Sequence, residues 1–273
     1  MTGATAKHYL ITGAGRGIGR GLSRLLLEKG HRVFLIDNNS IELTNTESHL
    51  KSQKHTWRKD FDLYKADLRQ PAEIEGAVRA ASRFFGGRLD VLVNNAAFTG
   101  GVGGPPLSRG PDFVGVWHAS LETNLTGPML VSQACLPLLA KAEGRATGGS
   151  IVHMSSTRAF MAEAGNEAYA ATKAGLLGLT QAMAVSLAGQ GVRVNAILPG
   201  WIHVGDECKG ADEKGERWEE GLSEADHRWH LSGRVGRVED VWRAVEYLAE
   251  AEFVTGTEMV VDGGVTRKMV YPE

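Results

Sequence analysis

The chain has 273 residues, 42% of them hydrophobic and 23% charged, which suits one large α/β domain with a sizeable core and argues against wholesale disorder. The formal net charge of -2 lacks the basic excess of a nucleic-acid binder. No apolar run is long enough to span a bilayer, so neither a nucleic-acid nor a membrane partner is expected.

Short apolar, β-branched runs alternate with helical stretches along the chain. Residues 8–12 read as a strand, 17–29 as a helix, 32–36 as a second strand and 62–65 as a weaker third. A helix over 71–85 opens on a proline at a tolerated early position. A strand at 89–93 precedes one long helical stretch, 112–141. Strands at 150–154 and 192–198 flank a helix at 169–188. A helix at 239–249 and a strand at 258–261 complete the pattern. The alternation predicts a doubly wound parallel sheet of seven strands with helices on both faces. The strands are continuous apolar runs, as a sheet covered on both sides requires. Residues 98–111, rich in glycine and proline, and 201–233 break the rhythm, as active-site loops do.

Cys135 and Cys208 belong to no CxxC pair, so neither a disulfide framework nor a zinc site is expected. The first residues lead straight into a strand with no room for a signal peptide. The expected compartment is the cytoplasm.

The first strand runs into Thr12-Gly13-Ala14-Gly15-Arg16-Gly17-Ile18-Gly19. Glycines between a strand and a helix let the backbone turn sharply and approach a pyrophosphate at the helix N-terminus. The spacing is GxxxGxG, through Gly13, Gly17 and Gly19, and not the strict GxGxxG. Asp37 ends the second strand, 18 residues after Gly19. A carboxylate there accepts hydrogen bonds from the adenosine ribose hydroxyls and repels a 2′-phosphate. It is equally good turn chemistry with Asn38, Asn39 and Ser40. Position favours NAD over NADP. Arg16, a base beside the phosphates, argues the other way, or serves the pyrophosphate or solvent.

Tyr169 and Lys173 are four apart at a helix start and share one face. An ammonium beside a phenol stabilises the phenolate and draws the tyrosine pKa down from about 10. Such a tyrosine exchanges a proton with an alcohol or carbonyl oxygen.

These residues resemble the short-chain dehydrogenase/reductase family, in its compact single-domain branch. The match runs through Thr12-Gly13-x3-Gly17-Ile18-Gly19, Asp67-Leu68, Asn94-Asn95-Ala96-Ala97, Asn124, Ser156, Tyr169-x3-Lys173, Asn195, Pro199-Gly200 and Val261-Asp262-Gly263-Gly264, in family order and spacing. The resemblance implies a Rossmann-type fold over 1–273 as a single domain, an oxidoreductase on an alcohol or ketone, and a homotetramer or homodimer joined through 112–141 and 169–188. It implies that Tyr169 is the proton donor and acceptor, with Ser156 bonding the reacting oxygen. Ser155 competes, but the 13-residue interval to Tyr169 favours Ser156. Lys173 would hold the nicotinamide ribose, and Asn124 would order a water linking Lys173 to solvent. Asp67 and Leu68 would border the adenine, and Asn95 and Ala96 would line the groove. Pro199, Gly200 and Ile202 would shape the nicotinamide pocket. Ala97 stands where the family often has glycine. Val204 stands where it often has a threonine that touches the carboxamide, a contact left to His203 or a backbone group.

Residues 201–233 lie where the family keeps its substrate-covering lid. Trp201, Trp218 and Trp229 would be pocket walls or packing anchors. His203, His227 and His230 are too scattered for a metal site. Residues 206–228 hold nine Asp/Glu against four Lys/Arg, mostly a solvated helix face; any acid that reaches the pocket disfavours anionic substrates, which points to a neutral polyol, sugar or small hydroxyketone. Trp218 and Leu222 could share a short helix.

Overall fold

The apolar runs line up as one parallel sheet in the computed structural model, which describes residues 6–100, 111–142, 145 and 147–269. The strands are β1 (His8–Thr12), β2 (Arg32–Asp37), β3 (Phe61–Lys65), β4 (Val91–Asn94), β5 (Ser150–Met154), β6 (Arg193–Pro199) and β7 (Glu258–Val261). Their order in the sheet is β3-β2-β1-β4-β5-β6-β7, with every pairing parallel. The helices are α1 (Gly17–Glu28), α2 (Ser40–Ser52), α3 (Pro71–Phe85), α4 (Pro111–Leu121), α5 (Gly127–Leu139), α6 (Glu167–Leu187), α7 (Lys209–Lys214), α8 (Glu224–Arg228) and α9 (Val238–Glu250).

Successive strand residues serve opposite faces, because the pleat alternates. Tyr9 and Ile11 pack with Leu22 of α1 and Val241 of α9. Leu10, between them, packs with Ala77 of α3 and Val131 of α5. Both faces are therefore covered, and the fold is the expected α/β Rossmann type. Strand order reverses beside β1, where the chain returns from β3 to β4. Such a switch opens a crevice at the carboxyl ends of the strands.

Three local expectations are corrected. Residues 40–52 form α2, which the sequence pattern gave no sign of, since Leu43, Thr46 and Leu50 are its only buried residues. Asn39 starts it by accepting from the Ile41 and Glu42 N–H groups at 3.1 and 3.2 Å, a side-chain N-cap. The stretch 112–141 is two helices joined by a π turn at Glu122–Thr126, in which the Gly127 N–H reaches back to the Glu122 carbonyl. Pro128 has no N–H to give the Asn124 carbonyl, so the regular helical ladder cannot continue there. Trp218 to Leu222 is turn rather than helix. Of the loop 98–111, residues 101–110 lie outside the described residues. Among the described residues no helix is long and apolar enough to cross a membrane.

Candidate active site

The carboxyl ends of β1 and β4 are stitched together by side chains. Thr12 Oγ1 accepts from the N–H groups of Asn95 and Ala96 at 3.0 and 3.1 Å. Asn95 Nδ2 donates to the carbonyls of Thr12 and Gly13, both at 3.0 Å. The turn is too tight for side chains. A Cβ on Gly13, whose φ is +65°, would sit 2.6 Å from Ala96 Cα, and one on Gly19 would sit 2.1 Å from the Gly13 carbonyl oxygen. Glycine is what lets this backbone close on itself and on a ligand.

A cleft of about 440 Å³ opens over this turn. Gly13, Arg16, Gly17 and Ile18 line its middle, and Asp37 and Leu68 line one end. Asn95 and Ala96 form part of the wall, and Tyr169 and Lys173 close the other end. The two Asp37 oxygens accept from Gly15 N–H at 2.8 Å and Asn39 N–H at 2.9 Å. Each oxygen keeps a second lone pair. The glycine cradle, the fixed carboxylate and the elongated cleft fit a nicotinamide dinucleotide.

At the Tyr169 end of the cleft, Ser156 follows β5 and caps a short 3-10 turn, its Oγ accepting from Arg158 N–H at 3.2 Å. Its hydroxyl is near enough to the Tyr169 phenol to favour the phenolate. Ser155 donates to the Lys173 carbonyl at 2.7 Å, so its hydroxyl is occupied in holding α6. Lys173 is buried. Its Nζ donates to the Met154 carbonyl at 2.7 Å and lies 5.4 Å from the centroid of the Tyr169 ring. Burial lowers the Lys173 ammonium to about 8. Burial also raises the Tyr169 phenol, against the opposing pull of the Ser156 hydrogen bond and the Arg158 charge. The sequence argument expected Lys173 to draw Tyr169 down. Here burial outweighs the groups that lower it.

Other predicted residues are placed differently. The Asn124 side chain bonds the Phe98 N–H and carbonyl at 2.6 and 3.1 Å and Thr172 Oγ1 at 3.3 Å, so its amide is committed to protein groups. The Asp67 carboxylate is held by Arg69 at 2.6 to 3.1 Å and does not line the cleft, whereas Leu68 does. Pro199 ends β6 and Gly200 follows it, Gly200 N–H bonding the Val261 carbonyl at 2.9 Å. Ile202 bridges to Gly236 and lines a separate hollow beside Trp201 and Asp262. Val204 does line the cleft. The His203 ring lies 6.1 Å from the Trp218 ring and outside the cleft. Trp218 is an anchor, donating to the His203 carbonyl at 3.1 Å with the Arg237 guanidinium 4.0 Å from its ring centroid. Trp201 and Trp229 are exposed.

Two features escaped the sequence reading. Arg158 donates to Glu163 at 2.6 Å, and Glu163 bonds Asn166 at the start of α6 at 3.3 Å. Glu207, within the acidic segment, is buried against Arg20 and Arg24. Only an arginine two residues past Ser156, and arginines in the first turns of α1, hinted at either.

Residues 13–266 match the family model described as enoyl-(acyl carrier protein) reductase. A Thermotoga maritima protein named an uncharacterized oxidoreductase is 35% identical over 98% of both chains. An apo enzyme structure from Clostridium thermocellum is 29% identical with a TM-score of 0.77, covering 97% of this chain and 95% of that one. A Brucella melitensis structure described as a short-chain dehydrogenase/reductase, glucose/ribitol dehydrogenase, is 26% identical with a TM-score of 0.78 over 97% of both.

Proposed function

We propose a function from one premise: this chain belongs to the short-chain dehydrogenase/reductase family. It is an oxidoreductase that transfers a hydride between NAD(H) and an alcohol or carbonyl carbon. One observation carries this reading. A single cleft has Asp37 at one end and Tyr169 and Lys173 at the other, with Ser156 beside the phenol. Asp37 supports NAD(H), by accepting from ribose hydroxyls and repelling a phosphate there. The second reading, NADP(H), draws on Arg16, which lines the same cleft.

When bound, the dinucleotide supplies or accepts the hydride. In reduction, Tyr169 gives its phenolic proton to the carbonyl oxygen as the carbon gains the hydride, and Ser156 donates a hydrogen bond to that oxygen. In oxidation the phenolate takes the proton back. Burial keeps the phenol protonated at neutral pH, the form that serves reduction. The Lys173 ammonium, fixed by the Met154 carbonyl, would hold the nicotinamide ribose. Asn124 holds Phe98, between the wall residues Ala97 and Thr99. The Val204 methyls cannot make the polar contact of the usual threonine, so a backbone group serves the carboxamide.

The substrate is a neutral polyol, sugar or small hydroxyketone, a class in keeping with the Brucella relative's description. The protein is cytoplasmic and works as a homotetramer or homodimer through α4, α5 and α6. Exposed Val114, Met129 and Val185 on those helices support such contacts. The whole chain forms one domain, with 201–233 as the lid. The deciding experiment follows NADH and NADPH absorbance over a panel of alcohols and carbonyls. No turnover with any member, in either direction, would overturn the reading.

A further inference from the structure

Arg20 lies in the first turn of α1, and its side chain is only 1% exposed. A buried guanidinium there would suit a phosphate, yet its partners are carboxylates from the lid: Glu207 at 3.3 Å and Asp212 at 2.8 Å. Arg24, one turn on, holds the other Glu207 oxygen at 2.8 Å. The Glu207 carbonyl accepts from the Gly17 N–H at 2.7 Å, inside the phosphate-binding turn itself. From the other side, Asn45 donates to Asp212 at 2.6 Å, and Glu42 accepts from the Lys209 N–H at 2.9 Å. These contacts fasten the base of the lid to α1, which begins at the glycine turn, and to α2, which begins just past Asp37. Val204, three residues before Glu207, is thereby held as a wall of the cleft.

We infer that Glu207 and Asp212 are positioning residues for the dinucleotide: they clamp the lid base across the cleft, and the cofactor leaves when this clamp opens. The inference rests on the reading of the cleft as a dinucleotide site. Buried ion pairs are a weak source of net stability, because desolvation offsets their attraction. Apolar residues would fasten the lid base permanently. A set of two arginines and two carboxylates, buried at Arg20 and Glu207 and partly exposed at Arg24 and Asp212, can be released as a unit once water reaches its buried pair. It is therefore a reversible catch, and it sits where release would free the phosphates.

The test measures NADH release from the full-length protein by stopped-flow fluorescence, using excess ADP-ribose to prevent rebinding. Glu207→Gln keeps the shape and removes the charge, and its release is at least about tenfold faster, since losing one partner of a buried charge pair acts on dissociation. Release from the wild type accelerates with salt, and the variant loses most of that dependence, a change that general loss of stability would not produce. If Glu207→Gln does not fold, Asp212→Asn, at a position 27% exposed, serves alone with release at least about threefold faster. Wild-type release rates in the folded variants, with NADH still bound, overturn the clamp and leave the proposed function standing. A wild type that binds neither NADH nor NADPH overturns both.

Discussion

The Asn124 side chain acts as a strand edge for Phe98, accepting from its N–H at 2.6 Å and donating to its carbonyl at 3.1 Å. The π turn at Glu122–Thr126 brings the amide to that place. Asn124→Ala would strand both Phe98 groups, at roughly 1–3 kcal/mol for each one left unpaired in the interior. Because the Asn124–Phe98 contact is only partly buried, the expected loss is about 2 kcal/mol, seen as a lower urea midpoint with an unchanged slope. Turnover falls with it, because Phe98 sits between Ala97 and Thr99, which continue the wall formed by Asn95 and Ala96. A midpoint equal to wild type would show that Asn124 is not needed there.

Tyr169→Phe removes the exchangeable proton and little else. The expected result is intact NADH binding with kcat lowered at least about a hundredfold, the low end for a general acid or base. Near-normal turnover of the purified variant would refute the assignment. Lys173 adds a pH dependence. Its folded pKa is depressed to about 8, so the ammonium that binds ribose is lost as pH rises through that value. The kcat/KM for NADH should therefore fall on the alkaline side of about 8, and Lys173→Arg should move that limb upward. For stability the sign is the reverse. A depressed lysine contributes above its unfolded value, and that contribution is lost as pH falls through about 8.

Asp37 supports a turn, and on the proposed reading it also sets cofactor choice. Its two charge-assisted bonds to ribose should contribute roughly 1.5–3 kcal/mol, or about ten- to a hundredfold in affinity. Wild type should prefer NADH, and Asp37→Ala should erase much of that preference. The variant also unpairs the Gly15 and Asn39 N–H groups, so its melting temperature needs to be read alongside. Higher kcat/KM with NADPH in the wild type would mean that Arg16 has decided the choice.

Most of this fold is legible because a buried parallel sheet writes itself as continuous apolar runs. The glycine turn and the Tyr169-x3-Lys173 pair are local in sequence and meet in one cleft, whereas Ser156 was legible only through the family resemblance. What stays hidden depends on contacts far apart in sequence. The helix α2 carries too little apolar periodicity to announce itself, and its cap is a single Asn39 side chain. The acids of 206–228 look like a solvated face, yet Glu207 and Asp212 meet arginines 183 and 192 residues earlier. Asp67 matches a motif, but its neighbour Arg69 takes its carboxylate.

Arg158 is the cation whose charge draws the Tyr169 phenol down against burial. Arg158→Met keeps much of the side-chain volume and removes that pull, so the phenol pKa rises further. Alcohol oxidation needs the phenolate, and its acid limb should move to higher pH. Carbonyl reduction at neutral pH should change less. An acid limb that stays in place, or moves down, would show that Arg158 does not act on Tyr169.

The lid should move in part rather than as a whole. Its base, near Val204 to Asp212, is bound to α1 and α2, while residues 216–229 are tied to the body through Trp218 on the His203 carbonyl and through the exposed Lys268 bond to the Trp229 carbonyl. Regions with few buried contacts open at low free-energy cost. Without ligands, amides of 216–229 should exchange faster than those of 204–212. With NADH and a substrate analogue, the outer part should gain protection as it closes and excludes water. Equal protection in both states would refute closure. A separate substrate survey checks the charge argument. Glu207 and Asp212 face α1 and α2, so only the remaining acids of 206–228 can repel an anion, and a clear preference for carboxylate or phosphate substrates would show that they do not.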